Sequence, residues 1–99
     1  MRPALILPLL LWACASPAPG YFGAARQDIR VEDMDFAVFV KESEAEVIRL
    51  GYASRKQRGR VPAMMVEAAE RASGCRAIPY SLKARIPGDT GEARVGLDC

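Results

Sequence analysis

The chain has 99 residues, with 14 Lys and Arg against 12 Asp and Glu, a formal net charge of +2 and apolar residues at 51%. Such a balance suits one small globular domain, gives no field for nucleic acid, and leaves a core that is marginally stable without reinforcement. There is no histidine, which removes the commonest general base, the usual partner of a catalytic Ser or Cys, and the commonest metal ligand together.

The chain opens Met1-Arg2, runs through the apolar Ala4-Leu5-Ile6-Leu7-Pro8-Leu9-Leu10-Leu11-Trp12-Ala13, and reaches Cys14. One positive charge, a short apolar run and small residues at its end describe an export signal. The run falls short of the about 20 apolar residues that a spanning helix needs. Leu11-Trp12-Ala13-Cys14 resembles the lipobox of bacterial lipoproteins. The resemblance implies that residues 1–13 are a signal peptide and that Cys14 is acylated and becomes the first mature residue. It also implies attachment to a membrane of the cell envelope on the periplasmic side, with Ala15 in place of Asp favouring the outer membrane. Each buried methylene contributes about 0.8 kcal/mol, so several acyl chains hold firmly. The alternative is cleavage after Ala15, with Ala13-Cys14-Ala15 as the small-x-small site, releasing a soluble periplasmic or secreted protein. The absent histidine, the late cysteine pair and the one-domain size also look like the small lipoproteins of high-GC bacteria, a likeness that carries over no functional residue.

Residues 14–25 read as a spacer around Ser16-Pro17-Ala18-Pro19-Gly20, extended by Pro and loosened by Gly. Residues 26–99 then form a single domain. Setting Cys14 aside leaves Cys75 and Cys99, which in an oxidising compartment are expected to form a disulfide. Closing that loop is worth about 3.5 kcal/mol on the chain-entropy model. A redox-active pair would call for Cys-x-x-Cys spacing, which these two lack.

Ile29 and Val31 alternate with Asp28, Arg30 and Glu32 as a half-buried strand would. Asp33-Met34-Asp35 is the turn candidate, and Phe36-Ala37-Val38-Phe39-Val40 is a β-prone run with Phe36, Val38 and Val40 on one face. After the polar break Lys41-Glu42-Ser43-Glu44, Ile48, Leu50 and Tyr52 alternate as a third strand. Ser43-Glu44-Ala45-Glu46 also matches a capping box, but a third strand is favoured because a hairpin alone is unstable. A helix is expected over Val61–Ser73, with Pro62 in its first turn and Gly74 as its left-handed end. Val61, Met65, Ala68 or Ala69, and Ala72 recur on one face, with Glu67, Glu70 and Arg71 facing away. Cys75-Arg76-Ala77-Ile78 stops at Pro79 and resumes through Leu82, Ala84 and Ile86, before the turn cluster Pro87-Gly88-Asp89-Thr90-Gly91. In the last strand Ala93, Val95, Leu97 and Cys99 face in, and Glu92, Arg94, Gly96 and Asp98 face out. The expected fold is a small α+β domain, an antiparallel sheet of about five strands with one helix packed across it in the order β-β-β-α-β-β.

With histidine absent and the thiols paired, only carboxylates remain for acid–base or metal chemistry. Asp28, Glu32, Asp33 and Asp35 match no calcium loop and read as a solvated hairpin tip. Glu42, Glu44 and Glu46 read as an exposed strand end, and Gly88-Asp89-Thr90-Gly91 has neither the lysine nor the helix of a phosphate loop. No catalytic residue, metal or cofactor is assigned. The one concentrated feature is Ser54-Arg55-Lys56-Gln57-Arg58-Gly59-Arg60, where Arg55, Lys56, Arg58 and Arg60 would grip phosphate or carboxylate groups of an anionic surface. The plain alternative is a linker loop kept soluble by its charge. The expected function is that of a non-enzymatic, membrane-anchored envelope protein. It would bind or support an envelope protein or anionic polymer, through this loop or an exposed sheet edge, and not nucleic acid. The alternative is a disulfide-stapled inhibitor of a hydrolase, presenting the 87–91 loop.

Overall fold

Three strands follow one another as an antiparallel meander: β1 (Arg26–Val31), β2 (Met34–Lys41) and β3 (Glu44–Arg49). The computed structural model describes residues 24–84, 86 and 90–99. Val31 pairs with Met34 and Lys41 with Glu44, so both hairpins close on two-residue turns, Glu32-Asp33 and Glu42-Ser43. Glu32 and Glu42 take φ of 56° and 57°. A tight hairpin needs positive φ at its first turn position to match the strand twist. The Asp33-Met34-Asp35 turn is therefore displaced: Met34 is 3% exposed and opens β2, because the core claims its thioether side chain.

A one-turn helix, α1 (Arg55–Arg58), leads into α2 (Val61–Ser73). Pro62 sits in the first turn of α2 and Gly74 ends it at φ 76°, as the spacing predicts. The capping box lies not at Ser43 but at Ser54, whose hydroxyl accepts from the Gln57 backbone while the Gln57 side chain accepts from Ser54 N–H. Val61, Met64, Met65, Ala68 and Ala69 of α2 are buried against Val31, Phe36, Val38, Ala45, Val47 and Val95. The inward positions of β3 are thus Ala45 and Val47, while Leu50 and Tyr52 are exposed past its end.

The final strand, β6 (Glu92–Asp98), lies beside β3, with Ala45 opposite Val95 and Glu46 opposite Arg94. Its other side holds two dipeptides, β4 (Arg76–Ala77) and β5 (Lys83–Ala84), giving six strands and the expected α+β architecture. Ala77 pairs with Leu97 and Lys83 with Arg94. Six steps along the chain thus match three along β6, and the surplus is thrown outward as an irregular excursion through Pro79. The sheet curls round α2: Gln27 of β1 donates to the Ala72 carbonyl, and three residues on Cys75 joins Cys99 beyond β6. That disulfide is present as expected, with Cα atoms 4.9 Å apart. Cys99 itself is exposed rather than inward-facing.

Two residues depart from their expected settings. Glu46, read as part of an exposed strand end, is 0% exposed. It sits on the sheet face away from α2, where Phe39 and Arg94 are its cross-strand neighbours and Ala24, Ala37, Phe39 and Ile48 form a second small cluster. That face is not simply solvated, and a buried carboxylate is tolerable where a cation stands opposite. Gly96, read as outward, is covered: its N–H donates to Ser81 Oγ at 3.0 Å and its carbonyl accepts from Ile78 N–H at 2.9 Å. A Cβ there would stand 3.2 Å from Ser81 Cβ, so Ser81, held by its bonds to Gly96, would have to give way by a few tenths of an ångström.

Gly96→Ala is expected to cost about 1–3 kcal/mol by overpacking, and Ser81→Ala about 1–2 kcal/mol by orphaning the β6 amide. Because both act on one contact, the double variant should lose less than the sum in urea unfolding. Replacing Cys75 and Cys99 together by Ala should lower unfolding free energy by about 3 kcal/mol.

Candidate functional site

The four basic residues of the Ser54–Arg60 run do not form a loop. Arg55, Lys56 and Arg58 lie on α1, and Arg60 is the residue before α2. Two are committed to the domain. Arg60 pairs with Glu32 in the first hairpin turn, and Arg58 donates to the Ala53 carbonyl at 3.3 Å with its guanidinium 6.0 Å from the Tyr52 ring centroid. The second contact is at the outer limit of a cation–π interaction. Arg55 and Lys56 are exposed, and their side chains make no hydrogen bond or ion pair among the described residues. Gln57 Nε2 also donates to Asp33 at 3.2 Å, so α1 is pinned to the hairpin turn on its inner side while two cations project. What they present to solvent is positive charge and N–H donors.

The carboxylates near the first hairpin are separately engaged. Asp28 pairs with Arg26 at 2.7 Å, Asp35 with Arg30 at 2.9 Å, Glu32 with Arg60, and Asp33 accepts from Gln57. Among the described residues no three acidic or thiol side chains converge to hold a metal ion. On the far face of the sheet, Glu44, Glu92, Lys83 and Arg94 surround a depression of about 240 Å³. Charges of both signs line it, so it favours neither an anion nor a cation.

Beyond β6 the excursion between β4 and β5 builds a surface that the sequence does not announce. Ile78 is 46% exposed and Tyr80 102%, with Pro79 between them. Tyr80 adopts φ 61°, a region costing about 1–2 kcal/mol for a residue with a Cβ. The surroundings impose it: Ser81 N–H donates to the Ile78 carbonyl at 3.2 Å, and the Ser81 hydroxyl is locked to Gly96. Below, Glu70 of α2 accepts from Ala77 N–H at 2.8 Å, and the disulfide holds Cys75. Between this segment and α2 runs an apolar groove of about 280 Å³ with Pro62, Val66, Ile78 and Leu82 in its walls. The clue in the sequence is slight: Pro79-Tyr80 breaks a strand pattern, and Gly96 interrupts another directly opposite.

Of the 87–91 loop, residues 87–89 lie outside the described residues, as do Cys14 and the rest of the 1–23 segment. Thr90 is held by Arg49, which donates to its carbonyl at 2.9 Å and its hydroxyl at 2.7 Å. Arg49 thereby ties the end of β3 to the approach of β6.

If α1 is a scaffold carrying two spare cations, Ser54→Ala should cost about 1 kcal/mol through loss of the cap. Arg55→Gln with Lys56→Gln should stay within about 0.5 kcal/mol of the parent in thermal unfolding.

No helix among the described residues is long and apolar enough to cross a membrane. No family model, no curated protein and no solved structure matches the chain, so these surfaces are interpreted from their own geometry.

Proposed function

We propose that the protein is a non-enzymatic component of a bacterial envelope, anchored by lipid on Cys14, whose 26–99 domain binds an anionic polymer or the acidic surface of another envelope protein. The observation that supports this reading most is the placing of Arg55 and Lys56. The chain comes from Cys14 into β1 at Arg26, beside the C-terminal end of α2, where Gln27 meets Ala72. The basic turn lies at the other end of β1, against Glu32 and Asp33. Five strand steps at about 3.3–3.4 Å each put roughly 17 Å between the two ends of β1. A domain tethered at Arg26 therefore holds its spare cations away from the tether. They meet what stands across the envelope more readily than the membrane that carries the anchor.

Chemistry at the domain's charges agrees with a binding role. Arg guanidinium and Lys ammonium offer donors and charge to carboxylate or phosphate, and exposed cations contribute chiefly to encounter rate and selectivity. The disulfide suits an oxidising compartment.

Two measurements on the natively exported chain test the reading. Cys14→Ser should release the protein from the membrane fraction, and an unaltered distribution overturns the lipid anchor. A photo-reactive residue at Lys56 should cross-link to an acidic protein or anionic polymer, and Arg55→Glu should abolish the product. Cross-linking that survives charge reversal, or that yields only a secreted hydrolase, would discard this function; the second outcome returns the inhibitor reading.

A further inference from the structure

From the apolar tip at Ile78, Pro79 and Tyr80 we infer a second membrane contact: the tip inserts into the headgroup region of the bilayer that holds the acylated Cys14. The inference rests on the lipid-anchor reading. It begins with position. Arg26, Phe39, Glu46, Arg94 and Lys83 stand in one row across the sheet. Gly96, opposite the first residue of β3, lies two residues beyond Arg94 toward the end where the tether enters. The tip hangs from Gly96 through Ile78 N–H and Ser81 Oγ, so its attachment lies on the tether's side of that row while α1 lies beyond the other end of β1, and the groove behind the tip runs along α2 as far as Pro62.

Length allows the contact. Twelve residue steps lead from Cys14 to Arg26, spanning at most about 40 Å when fully extended, and less when coiled. A domain so held samples the surface at an effective concentration in the millimolar range. A contact too weak to bind a free protein is then populated.

The chemistry of the tip matches the interface. Tyrosine places an apolar ring against acyl chains and its hydroxyl among headgroups, where aromatic residues concentrate in membrane proteins. Ile78 and Pro79 add apolar surface without side-chain charge. Arg76 and Lys83, both exposed, flank the tip within reach of lipid phosphate. Rigidity matters as much: Ser81, Gly96 and the disulfide hold Tyr80 in its left-handed conformation, so little ordering remains to be done on contact.

The natural chain offers a clean optical test, because its one tryptophan, Trp12, lies upstream of Cys14. Mature lipidated protein carrying Tyr80→Trp is reconstituted into vesicles of phosphatidylethanolamine and phosphatidylglycerol and compared with Tyr52→Trp, a site 81% exposed next to α1. Emission from the Tyr80→Trp protein should move to shorter wavelength and be quenched by lipids brominated on the acyl chains; emission from the Tyr52→Trp protein should do neither. Adding Ile78→Asp to Tyr80→Trp should reverse the shift. Equal, solvent-like emission from both proteins with Cys14 acylated by intact mass overturns the tip and leaves the anchor standing. An unacylated Cys14 overturns the anchor. The unanchored Tyr80→Trp protein is then titrated with excess vesicles, where a blue shift absent from Tyr52→Trp supports the tip and its absence overturns it.

Discussion

Insertion of β6 is the step on which the rest of the structure depends. It is the last strand in the chain and yet an inner one, pairing with β3 on one side and with β4 and β5 on the other. Without it the meander keeps an open edge at β3, α2 loses Val95 and Leu97 from beneath it, and the 78–82 excursion has nothing to hang from. Pairing Glu44 with Gly96 closes a loop of about half the chain, a contact whose entropy must be recovered before any local hydrogen bond rewards it. The Cys75–Cys99 bond lessens that cost by fixing β6 to the exit of α2, and Arg49 fixes its other end through Thr90. In a domain whose buried side chains are mostly Val, Ala and Met, a covalent tie at the last strand is a structural necessity more than a refinement.

Elements set by local chemistry were legible in the residues. Pro62 and Gly74 bracket α2, the β-branched and aromatic run marks β2, and the alternation of Ala93, Val95 and Leu97 marks β6. Legibility fails where tertiary contact decides between locally equal options. Ser43 and Ser54 both precede a Glu or Gln three residues on, but Ser43 sits in a hairpin turn and only Ser54 has a helix to cap. Glu32-Asp33 and Asp33-Met34-Asp35 both carry the acidic residues of a turn, and the choice falls to the core, which takes Met34. Glu46 reads as surface because its neighbours Glu42 and Glu44 are surface; it is buried on the far face of the sheet, between Phe39 and Arg94 on the neighbouring strands, while they stay exposed. Of the candidate surfaces, the basic residues were visible as a charge run and their division into two held and two projecting cations was not, since Glu32 is 28 residues from Arg60.

The Ser81–Gly96 contact shows how an exposed apolar shape can arise from a packing mismatch. β4 and β5 address the same edge of β6 in registers that differ by three residues, and the surplus cannot lie in the ladder. The Ser81 hydroxyl takes the place of the missing strand backbone, accepting from Gly96 N–H and donating to its carbonyl. With the ladder satisfied by a side chain, the main chain at Pro79-Tyr80 is released outward, and Tyr80 is left in a conformation that its own sterics disfavour. Pro79 contributes by lacking the N–H that a continuing strand would need to pair.

The two projecting cations of α1 and the apolar tip are attached toward opposite ends of the sheet, and Arg76 and Lys83 stand exposed beside the tip. Under the proposed anchoring, a tether alone would fix how far the domain travels from its membrane but not which way it faces. A weak apolar contact at the tip would bias that rotation once the tether had set the concentration, turning α1 outward and giving a pair of exposed cations worth little for stability a direction in which to meet an anionic partner.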